Sequence, residues 1–149
     1  GSHTIKVDAS DYDGNAASQK SVTFKIDTVP PTLSVTSPAD GFVTNQAACN
    51  VQGTTNDLTS SPVSVTVKLN NGNAEAATVA SNGSWSKTIT LVEGTNTITV
   101  VATDSAGKST TVTRTVKLDT KAPVIKSVTL TPNPVDTEKT VVISVEVTD

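Results

Sequence analysis

The chain repeats itself, and the repeat constrains the fold more than any other feature. One segment starts at Gly1 and runs through Thr4, Ile5, Val7, Ala9, Asp11 and Gly14. A second starts at Gly94 and runs through Thr97, Ile98, Val100, Ala102, Asp104 and Gly107. Both spell G-x-x-T-I-x-V-x-A-x-D-x-x-G, 93 positions apart. After a one-residue gap the echo resumes, Phe24-Lys25-Ile26-Asp27-Thr28 against Val116-Lys117-Leu118-Asp119-Thr120, with Pro31 against Pro123. A period of about 92 residues marks a tandem array. Residues 1–27 then read as the last strands of one repeat, 28–119 as a complete repeat, and 120–149 as the opening strands of a third. Only the central unit can close its own core, and a unit of that size buries about 60–65% of its extended-chain surface. Gly1, Ser2 and His3 read either as native residues, since Gly1 aligns with Gly94, or as a cloning remnant.

What the repeat folds into follows from its periodicity. Thr and Val supply 49 of the 149 residues, and β-branched side chains suit a pleated sheet and disfavour helix. With 17% charged residues, the chain is not a solvating disordered tail. Every periodic stretch of the central unit has period two. Leu33 and Val35 alternate in 32–36, and Cys49 and Val51 in 48–54. Val63, Val65, Val67 and Leu69 share one face of 63–69, and a return strand follows at 74–80. Trp85, Lys87 and Ile89 share a face of 85–91, Ile98, Val100 and Ala102 one of 96–103, and a last strand covers 109–118. Turn clusters at 37–41, 70–73, 81–83 and 104–107 separate them. About seven short antiparallel strands without a helix pack most simply as two facing sheets.

The string L-x-E-G-x-N-x-I-x-V-x-A-x-D-x-x-G (Leu91, Glu93, Gly94, Asn96, Ile98, Val100, Ala102, Asp104, Gly107), followed by D-T-x-x-P, resembles the bacterial Ig-like (Big-type) repeats. The clusters at 37–41 and 82–86 fit the same pattern. The resemblance implies an all-β, immunoglobulin-like sandwich, found in tandem on bacterial surface adhesins, in large secreted proteins and beside glycoside hydrolases. It also implies an extracellular or cell-surface location. Unlike antibody-type domains, the chain has no second cysteine to bridge its sheets, so the core relies on apolar packing. Cys49 reads as a small buried hydrophobe, with no Lys, Arg or His beside it in sequence to make it reactive.

The remaining composition excludes several functions. A net charge of −3 without a basic cluster disfavours nucleic acid. No apolar run approaches the roughly 20 residues of a membrane span, and no signal-peptide pattern stands out. One Cys and one His exclude a Cys- or His-rich metal cage. No nucleophile elbow, P-loop or paired-carboxylate motif is present, so the chain reads as no enzyme, with no required cofactor.

Two readings are open for the repeated acids, Asp11 and Asp104. In one, each caps a turn by accepting a backbone N–H two residues on, ahead of a glycine at positive φ. In the other, Asp104 helps hold calcium at a domain junction. A sandwich receives the chain at the end that carries the loop after its second strand and the last strand-to-strand turn. Linker residue Asp27 is thereby brought near Asp104 and near Asn56 and Asp57, and calcium takes six to eight such oxygens. Asp27, Asp57 and Asp104 are the candidate ligands; adhesins resembling this array use calcium in this way. Lys108 and Lys121 place opposing charge nearby, and Asp119 would face the loops of the next unit. Trp85 reads as core rather than as a sugar platform, Tyr12 as exposed, Phe42 as a staple on its loop, and the sequon at Asn82 as a hairpin turn.

The array reading makes the chain a non-catalytic spacer that holds an adhesive or catalytic head away from the cell, partnered by neighbouring repeats. The alternative is a module binding a glycan or a host protein, or an accessory domain of a carbohydrate-active enzyme. The outlying strands, 1–27 and 120–149, expose unpaired edges, so they are expected either to fray or to pair with each other or with a neighbouring molecule, with 139–147 the segment best suited to strand-mediated self-association.

Overall fold

The computed structural model describes residues 1–57, 60–131, 133–134 and 136–149. The fold is all-β, and no described helix is long and apolar enough to cross a membrane. Strands β1 (Ser2–Val7) and β2 (Lys20–Lys25) form a two-stranded antiparallel sheet. Strands β12 (Val124–Thr131) and β13 (Val142–Thr148) form another. Between them in sequence lie β3 (Thr32–Ser37), β4 (Phe42–Thr44), β5 (Ala48–Asn56), β6 (Ser64–Leu69), β7 (Ala74–Ala76), β8 (Thr78–Val79), β9 (Ser84–Thr90), β10 (Gly94–Thr103) and β11 (Ser109–Leu118). These nine build an immunoglobulin-like sandwich of two sheets, in the orders β4-β11-β10-β6-β7 and β3-β5-β9-β8.

One core fills the space between the sheets. Val35, Cys49, Val51, Trp85 and Ile89 contribute from one layer; Val65, Val67, Ile98, Val100, Ala102, Val116 and Leu118 contribute from the other. Their spacing is the period-two pattern of the sequence, read out as burial on alternate residues. Trp85 is 2% exposed and belongs to this core. Gly53 makes room for it. A Cβ there would fall 1.8 Å from the Ser34 carbonyl oxygen and 2.8 Å from the Trp85 ring, so the close approach of β3, β5 and β9 requires glycine. Lys87, on the same strand face as Trp85, reaches Glu75 of the opposite sheet at 2.7 Å.

The seven strands expected for the central unit become nine for two local reasons. Residues 42–44 form a short strand parallel to β11, with Val116 opposite Phe42, so Phe42 belongs to a sheet edge rather than stapling a loop. The expected strand over 74–80 breaks at Ala77. β7 pairs with β6 in one sheet, while β8 pairs with β9 in the other. The small Ala77 side chain packs against the core where the chain changes layers.

The flanking hairpins reproduce pairings of the sandwich. Ile5 lies opposite Val22 as Ile98 lies opposite Arg114, and Ser2 opposite Lys25 as Thr95 opposite Lys117. Val124 and Thr148 pair as Thr32 and Asn56 do. Burial is what differs. Ile98 is 0% exposed, whereas Ile5, in the same register of the same hairpin, is 56% exposed. Ile98→Ala should therefore cost about 3 kcal/mol in urea unfolding, and Ile5→Ala about 0.5 kcal/mol or less.

Asp40 ties the segment before β4 to β11. Its Oδ1 accepts the Thr115 backbone N–H at 2.7 Å and the Thr115 hydroxyl at 2.8 Å. These bonds favour the ionised form and hold the Asp40 carboxyl below its ordinary value. A depressed folded-state value means that its contribution is present above the unfolded carboxyl value and is lost as pH falls through the folded one. Asp40→Asn should thus destabilise the chain at neutral pH. The gap to the parent should close as pH drops below about 4, as followed by thermal melts across pH.

Candidate functional site

The strand geometry brings three acids to one end of the sandwich. Asp104 directly follows β10 and continues its inward parity after Ile98, Val100 and Ala102. Asp57 directly follows β5, in the facing sheet, and continues the inward parity of Cys49, Val51, Gly53 and Thr55. Asp27 lies on the incoming chain, five residues before β3, and β3 begins opposite Asn56. Two core stripes and the linker thus end together. One carboxylate oxygen from each of Asp27, Asp57 and Asp104 lies within 4.8 Å of the other two. The structure brings together the three acids singled out in the sequence.

Backbone donors orient each carboxylate. Asp27 Oδ1 accepts the Val29 N–H at 3.0 Å, and Asp57 Oδ1 accepts the Ser60 N–H at 2.9 Å. Asp104 Oδ1 accepts the N–H groups of Ala106 at 2.8 Å and Lys108 at 2.9 Å, ahead of Gly107 at φ 82°. The turn-capping role expected of Asp104 is therefore present alongside the cluster, and Lys108 contributes a backbone donor. Asp104 is 5% exposed, and its Oδ2 has no hydrogen-bond partner among the described residues. Asp11, its repeat counterpart, differs. There Asn15 supplies its N–H to Oδ1 at 2.8 Å and its side-chain amide to Oδ2 at 2.7 Å, and these bonds lower the Asp11 carboxyl from its ordinary value.

Two residues that brace the site carry no sequence signal. The buried Ser60 accepts the Ser105 N–H at 3.1 Å through its carbonyl, locking the loop after β5 to the turn after β10. The Thr110 hydroxyl donates to the carbonyl of buried Pro31 at 2.6 Å, fixing the incoming linker on β11. Each is one hydroxyl residue among dozens in this chain, and only the tertiary fold distinguishes it.

Asp119 forms a contrasting site. Lys117 Nζ meets its Oδ2 at 3.0 Å, and this ion pair, aided by the Lys121 N–H, holds the Asp119 carboxyl low. Asp119, Lys117, Lys121, Glu93 and Asp149 line one cavity of about 340 Å³. Tyr12 is fully exposed, as expected. Cys49 is buried opposite Ile89, and burial pushes its thiol above the ordinary value. It should resist thiol reagents in native buffer and react within the unfolding transition, a contrast that absorbance of the released thiolate reports.

Comparison with known proteins adds the family. Residues 31–120 match the family described as glucodextranase, domain B. Over 125 residues the chain is 34% identical to Bacillopeptidase F of Bacillus subtilis (strain 168), a match covering 84% of this chain and 8% of that protein. Among solved structures, the fibronectin(III)-like modules of Clostridium thermocellum CbhA superpose with a TM-score of 0.53. That match is 20% identical and covers 80% of this chain and 63% of the other; it bears on the fold alone.

Proposed function

Because the chain belongs to the glucodextranase domain B family, we propose that it is a non-catalytic accessory segment of a secreted bacterial enzyme, serving as a semi-rigid spacer. The relatives' names support the enzyme context, since both the family and the matched Bacillus protein are named for enzymes. The observation that carries the spacer reading is the register identity of the hairpins. β1–β2 pairs as β10–β11 does, and β12–β13 opens with the pairing of β3–β5. We read residues 1–27 and 120–149 as the closing and opening strands of units flanking a complete domain at 28–119, in keeping with the resemblance to bacterial Ig-like repeats. Beads of this kind contact their neighbours through short linkers. Here the linkers carry Pro30, Pro31 and Pro123, which restrict the backbone on either side.

Packing also favours this reading over a glycan-binding one. Trp85, the largest aromatic side chain, is consumed by the core, and the exposed rings of Tyr12, Phe24 and Phe42 stand on three separate segments of the chain. Small-angle scattering tests the proposal. A single compact globule of this length has a radius of gyration of about 15 Å, and a spacer carrying its hairpins outward should exceed about 20 Å. A value near the compact figure would sink the proposal, and retardation of the chain in a polysaccharide gel would favour the binding module instead.

A further inference from the structure

We propose that Asp27, Asp57 and Asp104 form a calcium site that clamps the incoming linker onto the end of the sandwich. The clamp builds on the spacer reading, because Asp27 lies on the linker that would join the central domain to the preceding unit. Two independent observations meet here. Three carboxylates converge within 4.8 Å, and Asp104 Oδ2 is sealed from solvent without a partner among the described residues. A buried carboxylate oxygen left unpaired is costly, and a bound cation is the partner that would offset that cost.

The donor set selects the ion. The three side chains offer oxygen alone, which suits a hard cation rather than zinc or copper. Calcium–oxygen bonds of about 2.3–2.6 Å let one ion reach three ligand oxygens that all lie within 4.8 Å of one another. Magnesium requires bonds of about 2.0–2.1 Å in a stricter octahedron and gives up its water reluctantly, so a site assembled from three separate chain segments favours calcium. Backbone carbonyls of the surrounding loops and water would complete six to eight ligands. Asp119, the repeat counterpart of Asp27, shows the alternative solution, with the Lys117 ammonium as its cationic partner.

Isothermal titration of the chelator-treated chain with calcium chloride tests the site. One ion per chain is expected, with a dissociation constant of about 0.1–1 mM, as in other extracellular modules. Magnesium should bind at least tenfold more weakly. Asp27→Asn removes one of three mutually repelling carboxylates, so it should not lower the melting temperature in chelator while weakening calcium at least tenfold. Asp104→Asn, which keeps the Oδ1 cap, should do the same to calcium, and Asp119→Asn should not. Saturating calcium should raise the melting temperature of the parent by roughly 5–10 °C. Absence of heat at 10 mM calcium, or parental affinity in Asp27→Asn, would overturn the site. Either result leaves the scattering test of the spacer standing on its own.

Discussion

The sandwich depends on one strand. β10 pairs with β6 on one side and β11 on the other, and its inward parity runs Asn96, Ile98, Val100, Ala102, Asp104. All five are buried. The three apolar members are the centre of the five-stranded layer's contribution to the core. The two polar ones close its ends. Asn96 donates its amide to the carbonyls of Val92 and Gly94, at 2.7 and 3.0 Å, and accepts the Val92 N–H at 2.9 Å, so the tight loop before β10 has its polar groups satisfied internally. Asp104 performs the same service for the turn after β10 with a single oxygen. The N-x-I-x-V-x-A-x-D string is therefore one stripe, a greasy centre bracketed by a side chain that ties off each end.

That stripe also explains the acidic cluster. Strands alternate strictly, so a residue placed one step beyond the core on an inward parity has nowhere to point except over the end of the sandwich. Asp104 does this from one sheet and Asp57 from the other. Facing sheets lie about 10 Å apart, close enough for two such side chains to meet. The incoming linker, pinned by Thr110 at Pro31, brings Asp27 to the same place. No special loop conformation is needed; parity and chain entrance suffice.

This is why the site could be read before the structure while its surroundings could not. Period-two alternation shows which residues face inward, and a two-sheet sandwich shows which ends coincide. Asp27, Asp57 and Asp104 follow from those two facts together. The short β4 carries no alternation, and its pairing with β11 rests on Gly41 and Asp40 reaching Thr115. The break between β7 and β8 depends on Ala77 being small at the point where the chain crosses layers. Ser60 acts through backbone groups that any residue would supply. Pattern locates side chains that alternate, and it is silent about contacts made by the main chain.

The repeat separates local from tertiary causes in a way a single domain cannot. Ile5 and Ile98 share sequence context, strand type and cross-strand register, yet one is exposed and the other fully buried. Strand formation is thus encoded within a hairpin, but burial requires the facing sheet. The same comparison applies to charge. Asp27 and Asp119 occupy equivalent linker positions, each following a lysine two residues earlier, Lys25 and Lys117. At the second position the lysine folds back onto the carboxylate. At the first, the carboxylate joins two others contributed by a completed sandwich. A linker acid therefore has two stable environments. The sequence around the acid is similar at the two positions, so what decides between them is what packs about the carboxylate: the residues that end β5 and β10 at Asp27, and the Lys117 side chain at Asp119.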